Sequence, residues 1–317
     1  MPSHRGRFAP SPTGELHLGS AATALVTWLA ARRAGGALVL RVEDIDRPRV
    51  VAGMEARQLD DLRWLGFDWD EGPDVGGAFG PYRQSERLDR YEAAIDSLAA
   101  RGLVYFCDCS RAEVARAASA PHAGDEGPRY PGTCRAAGTT PRAWKRPPAI
   151  RLAVPDREVV VRDRFQGELR QNVWREVGDF VLRRGDGVHA YQLAVVVDDL
   201  AMGITEVVRG ADLLASAPRQ VVLAELLGGT APAFAHAPLV LSADGTRLAK
   251  RARGVALRDH RDAGRRPEEL LGELARLLGL IEPGTASAGI PARELLAVAD
   301  LRHLEGRREA RVAPGRS

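Results

Sequence analysis

The chain has 317 residues, 45% hydrophobic and 27% charged, with a formal net charge of +3, the balance of an ordinary globular protein. No apolar run approaches the ~20 residues that a membrane-spanning helix needs, and the N-terminal MPSHRGRFAPSP lacks the apolar core of a secretory signal, so a cytoplasmic location is expected. Three cysteines are too few and too clustered for a disulfide framework.

In chain order, a short stretch from Gly6 to Ala9 leads into the turn-rich Pro10-Ser11-Pro12-Thr13-Gly14, and an apolar helical pattern follows from about Ser20 to Ala34. Ala37 to Val42 reads as a buried strand ending in the acidic run Glu43-Asp44-Ile45-Asp46. Helical patterns recur at about Val51 to Leu65 and Glu86 to Arg101. Strand and helix in alternation predict an α/β fold, a parallel sheet with a ligand crevice at its strand ends. From about Tyr105 to Gly178 the cysteines, a Gly/Pro/Ala-rich stretch and alternating strands (Ala149 to Val154, Arg157 to Phe165) suggest an inserted domain, with a mobile loop at Ala117 to Gly127. The α/β pattern resumes with Tyr191 to Asp199, read as a buried strand ending in two carboxylates, and a helix over Pro218 to Leu227. Further helical patterns lie near Pro267 to Leu280 and Ala292 to Glu305. The expected division is a discontinuous catalytic domain (1–104 and 179–240), an insertion (105–178) and a short helical C-terminal region (241–317).

The segment Arg7 to Ser20, RFAPSPTGELHLGS, reads as strand, stiff loop and helix N-terminus. Free N–H groups and the helix dipole make such a terminus an anion site. Gly19 leaves room for a nucleotide, and His17 can donate to phosphate oxygens. An ordinary βα turn with a surface histidine fits the same residues. The whole string, however, resembles the signature of glutamyl- and glutaminyl-tRNA synthetases, class I enzymes whose His-x-Gly-His-type loop binds ATP. Here that loop is His17-Leu18-Gly19-Ser20, with Ser20 in place of the last histidine. The resemblance covers most of residues 5 to 255.

It implies a second nucleotide loop of Lys-Met-Ser-Lys-Ser type, and Arg247-Leu248-Ala249-Lys250-Arg251 is the candidate. Lysine is scarce: of 45 basic residues only Lys145 and Lys250 are lysines. By the resemblance Lys250 contacts the ATP phosphates and steadies charge at the α-phosphate, while Arg247 stands in for the first lysine and Ala249 for a serine. His17 and Lys250 are the expected catalytic residues; ATP, with Mg²⁺, is expected on His17, Gly19, Ser20, Arg247 and Lys250. The resemblance also carries a glutamate site onto Arg7, Phe8, Ala9, Pro10, Ser11, Glu43, Tyr191 and Arg209. Arginine suits a carboxylate by its bidentate geometry, Glu43 suits an ammonium, and a glutamine amide would gain little from two arginines. Asp198 and Asp199 could contact ribose, but a structural role is favoured.

Cys107-x-Cys109 and Tyr130-x₃-Cys134 form a compact set. Zinc prefers four tetrahedral ligands, and three cysteines leave one place for Tyr130, a histidine, a carboxylate or water; plain reduced thiols are the other reading. The set resembles that of the truncated glutamyl-tRNA synthetase-like family, the glutamyl-queuosine tRNA(Asp) synthetases, which implies one Zn²⁺ per chain on Cys107, Cys109, Tyr130 and Cys134. His122, within the 20 residues between Cys109 and Tyr130, is the alternative fourth ligand. Only 67 residues follow Lys250, fewer than another domain of ~100–150 residues, so no anticodon-binding domain is expected. That family attaches glutamate to queuosine at the wobble position of tRNA(Asp), which implies action on tRNA; a monomer is expected. Six basic and no acidic residues between Gly127 and Pro155 (Arg129, Arg135, Arg142, Lys145, Arg146, Arg151), with Trp144 among them, suit RNA contact. A conventional glutamyl-tRNA synthetase core charging tRNA(Glu), or a non-catalytic zinc-stabilised RNA-binding module, are the competing readings.

Overall fold

The structure is a computed structural model describing residues 4–117, 129–242, 245, 256–282 and 289–311. The expected loop at Ala117 to Gly127, His122, Arg247, Ala249 and Lys250 lie wholly or almost wholly outside the described residues. The first half of the chain forms β1 (Arg5–Phe8), α1 (Leu18–Arg33), β2 (Ala37–Leu40), α2 (Met54–Trp64), α3 (Leu88–Ala100), β3 (Val104–Cys107) and α4 (Arg111–Ala117). Then come β4 (Ala149–Leu152), β5 (Glu158–Asp163), β6 (Gly167–Asn172), α5 (Val173–Glu176), β7 (Val181–Arg183), α6 (Tyr191–Ala201), β8 (Glu206–Gly210), α7 (Ala217–Leu226), β9 (Ala233–Ala237) and β10 (Leu239–Leu241). Helices α8 (Leu257–Asp262), α9 (Pro267–Leu278) and α10 (Ala292–Val298), with the short strand β11 (Glu309–Arg311), complete the described chain.

The main sheet has the order β2-β1-β8-β9-β5-β6. Its first five strands are mutually parallel, and β6 closes the edge antiparallel to β5. Parallel strands need helical crossovers that cover both faces, so α1 is apolar nearly all round, with eleven buried residues between Leu18 and Ala31. Helices α9 and α10 add their apolar faces to the α1 side, whereas α3, α6 and α7 pack with the opposite core. A second antiparallel sheet, β3-β4-β7, stands beside the cysteines.

Two features differ from the sequence reading. Tyr191 to Ala201 is a helix, not a strand. An apolar run of this length has no period that separates a buried strand from a helix buried on most sides, and here Leu193 to Asp199 are all buried. Asp198 and Asp199 therefore sit on a helix inside the core rather than at a strand end. Strands β5 and β6, from the segment read as an insertion, extend the main sheet instead of staying in the second one.

Candidate functional site

The first loop ends where His17 caps α1. Its Nδ1 accepts the backbone N–H of Gly19 (3.1 Å) and of Ser20 (3.3 Å). An Nδ1 that accepts leaves the ring proton on Nε2, so the imidazole is a donor on its outer edge, 3.3 Å from the Ser20 hydroxyl. Burial holds the imidazole below its ordinary pKa and keeps it neutral. Gly19 has no room for a side chain: a Cβ would stand 2.9 Å from the His17 ring. The chain after the second loop returns to this point, with Ala256 bridging His17 and the Leu257 N–H on the Leu16 carbonyl at 2.8 Å.

Behind the loop, at the C-terminal ends of β1, β2 and β8, lies a buried cluster of charge. Arg41 (0% exposed) lies 2.7 Å from Asp199, 3.2 Å from Glu43 and 3.8 Å from Asp198. Asp198 also accepts from Arg87 (2.6 Å), Gln84 (3.0 Å) and Tyr91 (2.9 Å). Arg7 donates to the Val208 carbonyl at 3.1 Å and stands 3.4 Å from Asp199. Burial pushes the Glu43 carboxyl up, against the pull of Arg41 and Arg7.

Arg209 is different. It is buried, and it donates to His236 Nε2 (2.9 Å), the Tyr191 hydroxyl (3.3 Å), Gln220 Oε1 (2.8 Å) and the Leu213 carbonyl (3.2 Å). All four acceptors are uncharged; among the described residues no carboxylate lies within ion-pair distance of this guanidinium. Burial, with the repulsion of Arg7, holds its pKa below the ordinary value against the more distant pull of Asp199. A buried cation in that state is costly unless an anion joins it. Of the other loop residues, the Phe8 and Pro10 carbonyls receive the N–H groups of Arg41 and Glu43, fixing the loop against the end of β2. Ser11 is exposed and Ala9 half-buried at the same edge. A cavity of about 570 Å³ bounded by His4, Arg33, Arg164 and Arg302 lies at the other end of β1, and none of these site residues lines it.

The sequence reading missed Arg41, Arg87, Asp163 and His236. Arg41 and His236 offered a signal, since a charged or imidazole side chain inside an apolar run (Ala37 to Val42, or Ala233 to Leu241) must find a buried partner, whereas Arg87 and Asp163 stand among polar neighbours and offered none.

The three cysteine sulfurs lie within 4.8 Å of one another. Cys109 and Cys134 Sγ are 3.6 Å apart, and the Tyr130 hydroxyl is 3.3 Å from Cys107 and 3.9 Å from Cys109. Four ligands on a tetrahedral zinc with Zn–S of about 2.3 Å stand about 3.8 Å apart, so this donor set fits the ion. Burial and the adjacent Cys107 push the Cys109 thiol up to about 12, a cost that a bound cation reverses. Arg151 lies 3.8 Å above the centre of the Tyr130 ring.

The basic segment is only partly free. Arg142 pairs with Asp108, Lys145 and Arg146 with Glu113, and Arg135 lies 3.6 Å from Asp179. Arg129 and Arg135 stack on the Trp174 ring, and Arg142 stacks on Trp144.

A parallel α/β sheet carrying this loop and this charge cluster at its strand ends defines a class of enzyme: the family described as tRNA synthetases class I (E and Q), catalytic domain, matches residues 4–294, and the chain belongs to it. Within that class it is similar to the glutamyl-Q tRNA(Asp) synthetase of Symbiobacterium thermophilum, 51% identical over 93% of this chain and 92% of that protein. It is likewise similar to that of Nitratidesulfovibrio vulgaris, 48% identical over 94% and 96%. Among solved structures, a glutamate-tRNA synthetase from Elizabethkingia anophelis superposes with a TM-score of 0.82 at 31% identity, over 98% of this chain and 68% of that one. No helix among the described residues is long and apolar enough to cross a membrane.

Proposed function

We propose that this chain activates L-glutamate with ATP and Mg²⁺ as glutamyl-adenylate and transfers the glutamyl group to queuosine in tRNA(Asp). The observation that carries the choice of amino acid is Arg209, a buried guanidinium with only neutral acceptors beside Tyr191. A substrate carboxylate supplies the missing anion, whereas a glutamine amide does not. Arg7 is the second carboxylate partner, and Glu43 receives the ammonium. The loop of Phe8, Ala9, Pro10 and Ser11 shapes the rim. The names of the two bacterial relatives support the RNA acceptor.

The chemistry needs no side-chain nucleophile. The glutamate carboxylate attacks the α-phosphate, pyrophosphate leaves, and the residues supply position and charge. His17, neutral with its proton on Nε2, donates to the phosphates from the end of α1, where Gly19 and Ser20 line the approach. Lys250 and Arg247 bring positive charge from the second loop. Zinc on Cys107, Cys109, Tyr130 and Cys134 would tie the end of β3 to the segment before β4 and supply no chemistry to the transfer. Within residues 105–178, the part before β5 then forms the RNA-facing region, while β5 and β6 join residues 1–104 and 179–240 in the catalytic part and 241–317 form the second loop with its helical support; the working unit is a cytoplasmic monomer.

The test is glutamate-dependent ATP–pyrophosphate exchange followed by transfer to purified tRNA(Asp) with or without queuosine. Lys250→Ala and His17→Ala should each slow exchange by about 100-fold or more while the fold is retained. Transfer should require queuosine and persist on tRNA(Asp) whose 3′-terminal adenosine has been removed enzymatically. Near-normal exchange in both variants would remove the assignment of the two loops. Charging that needs the 3′-terminal adenosine and not queuosine would mean a conventional glutamyl-tRNA synthetase core.

A further inference from the structure

Asp163, His236 and Arg209 form a row across three neighbouring strands. Arg209 on β8 is the direct register partner of His236 on β9, and Asp163 ends β5 on the far side of β9. The imidazole is 0% exposed, with its Nδ1 2.5 Å from Asp163 Oδ2 and its Nε2 2.9 Å from Arg209 Nε. Arginine Nε always carries a proton and only donates. The facing Nε2 must therefore be a lone pair, and the one ring proton must sit on Nδ1 and be donated to Asp163. The other oxygen of Asp163 is fixed by three backbone N–H groups, of Phe165, Gln166 and His236 itself, at 2.9–3.0 Å. The carboxylate thus cannot turn, and neither can the ring.

The consequence for Arg209 follows from counting its five N–H groups. One goes to His236, two from Nη1 to Tyr191 and Gln220, and one from Nη2 to Leu213. One Nη2 proton remains without an acceptor among the described residues, and the Tyr191 hydroxyl, which accepts from Nη1, still has a proton to donate. Both donors are available to a carboxylate, and the direction of the guanidinium donor depends on the plane in which Nε is held.

We infer that His236, locked in one tautomer by Asp163, is a positioning residue that sets the plane of the Arg209 guanidinium for the substrate carboxylate. This rests on the reading of Arg209 as a glutamate ligand. Burial also holds the imidazole below its ordinary pKa, despite Asp163, so the lone pair facing Arg209 persists through neutral pH.

Three substitutions separate positioning from packing. His236→Gln keeps an acceptor near the place of Nε2, while His236→Asn keeps a donor toward Asp163 but withdraws the acceptor from Arg209. Asp163→Asn turns a donor toward Nδ1 and forces the ring proton onto Nε2, against Arg209 Nε–H; a reversed tautomer of this kind disables the Asp–His pair of serine proteases. In glutamate-dependent pyrophosphate exchange, His236→Asn should raise the glutamate KM by about 10–100-fold, the range for losing one hydrogen bond to a charged group. Asp163→Asn should raise it at least as much, His236→Gln should restore most of the affinity, and the ATP KM should stay within about twofold. Equal glutamate KM values for the Asn and Gln variants would overturn the inference. The wild-type protein supplies a check that needs no variant to fold: its ¹⁵N spectrum at neutral to slightly alkaline pH should show His236 as the neutral Nδ1–H tautomer. An Nε2–H tautomer would overturn it equally. If wild-type exchange does not depend on glutamate, the functional reading fails; if it does and the variants match wild type, only this inference fails.

Discussion

Asp198 offers the sharpest separation of structure from chemistry. Its side chain and those of Arg41 and Arg87 are fully buried, and it accepts one charge-assisted bond from Arg87 together with bonds from Gln84 and Tyr91. Replacing it by Ala leaves Arg87 with only the carbonyls of Phe79 and Pro81. A charge-assisted bond contributes about 1.5–3 kcal/mol and a neutral one about 0.5–1.5 kcal/mol. Breaking a buried ion pair from one side costs about 3–5 kcal/mol, because the remaining charge has no partner. Asp198→Ala should therefore lose about 3–5 kcal/mol, a large share of a typical total of about 5–15 kcal/mol. At roughly 2–4 °C per kcal/mol, the thermal midpoint should fall on the order of 10 °C, read by circular dichroism. The ATP KM of the folded fraction, measured well below that midpoint, should not change. A midpoint within about 2 °C of wild type, with a raised ATP KM, would refute the reasoning and return Asp198 to the nucleotide site.

The pH behaviour of the first loop follows from the lowered pKa of His17. The unfolded chain takes up this proton more readily than the folded one, so wild type should lose stability relative to His17→Asn as pH falls from about 6.5 through the lower folded value. Paired urea titrations across that range check it, and a difference independent of pH would contradict it. Tyr130→Phe should bind zinc more weakly than wild type under a competing chelator, measured by metal analysis after dialysis; full retention would point to His122 or water as the fourth ligand. Binding to tRNA should weaken steeply with salt, and Arg129→Ala should reduce the log–log slope by roughly 1. An unchanged slope would place Arg129 away from phosphate.

The local signals read well where one principle dominates. The Pro/Gly loop before α1, the apolar strand before Glu43 and the amphipathic α9 all follow from turn chemistry or periodicity, and the Cys-x-Cys spacing brought three sulfurs together. Reading failed where burial is complete. Tyr191 to Ala201 shows no polar face because its neighbours cover it, so sequence could not separate helix from strand, and its two aspartates were misplaced with it. The roles of Arg41, Arg87, Asp163 and His236 were hidden for a related reason, even where an apolar run marked the residue: their meaning lies in partners far along the chain, such as the Arg41–Asp199 pair 158 residues apart. The charge run from Arg129 to Arg151 read as a basic surface, yet Asp108, Glu113 and Asp179 answer part of it from other elements.

The strand order of the main sheet has a consequence for how the chain is made. Strand β1 pairs with β2 nearby, but its other neighbour is β8, and the Arg5 N–H bonds Thr205 across 200 positions. At roughly 5–20 residues per second of synthesis, the N-terminal strand waits on the order of 10–40 s with that edge unpaired. Strands β5 and β6 emerge earlier than the β9 that joins them to it. The sheet can close only when β8 and β9 arrive, so the amino-acid pocket is assembled among the last parts of the fold. A nascent chain arrested before residue 237 would expose two half-sheets with open, apolar edges, and would be the species that chaperones must shield.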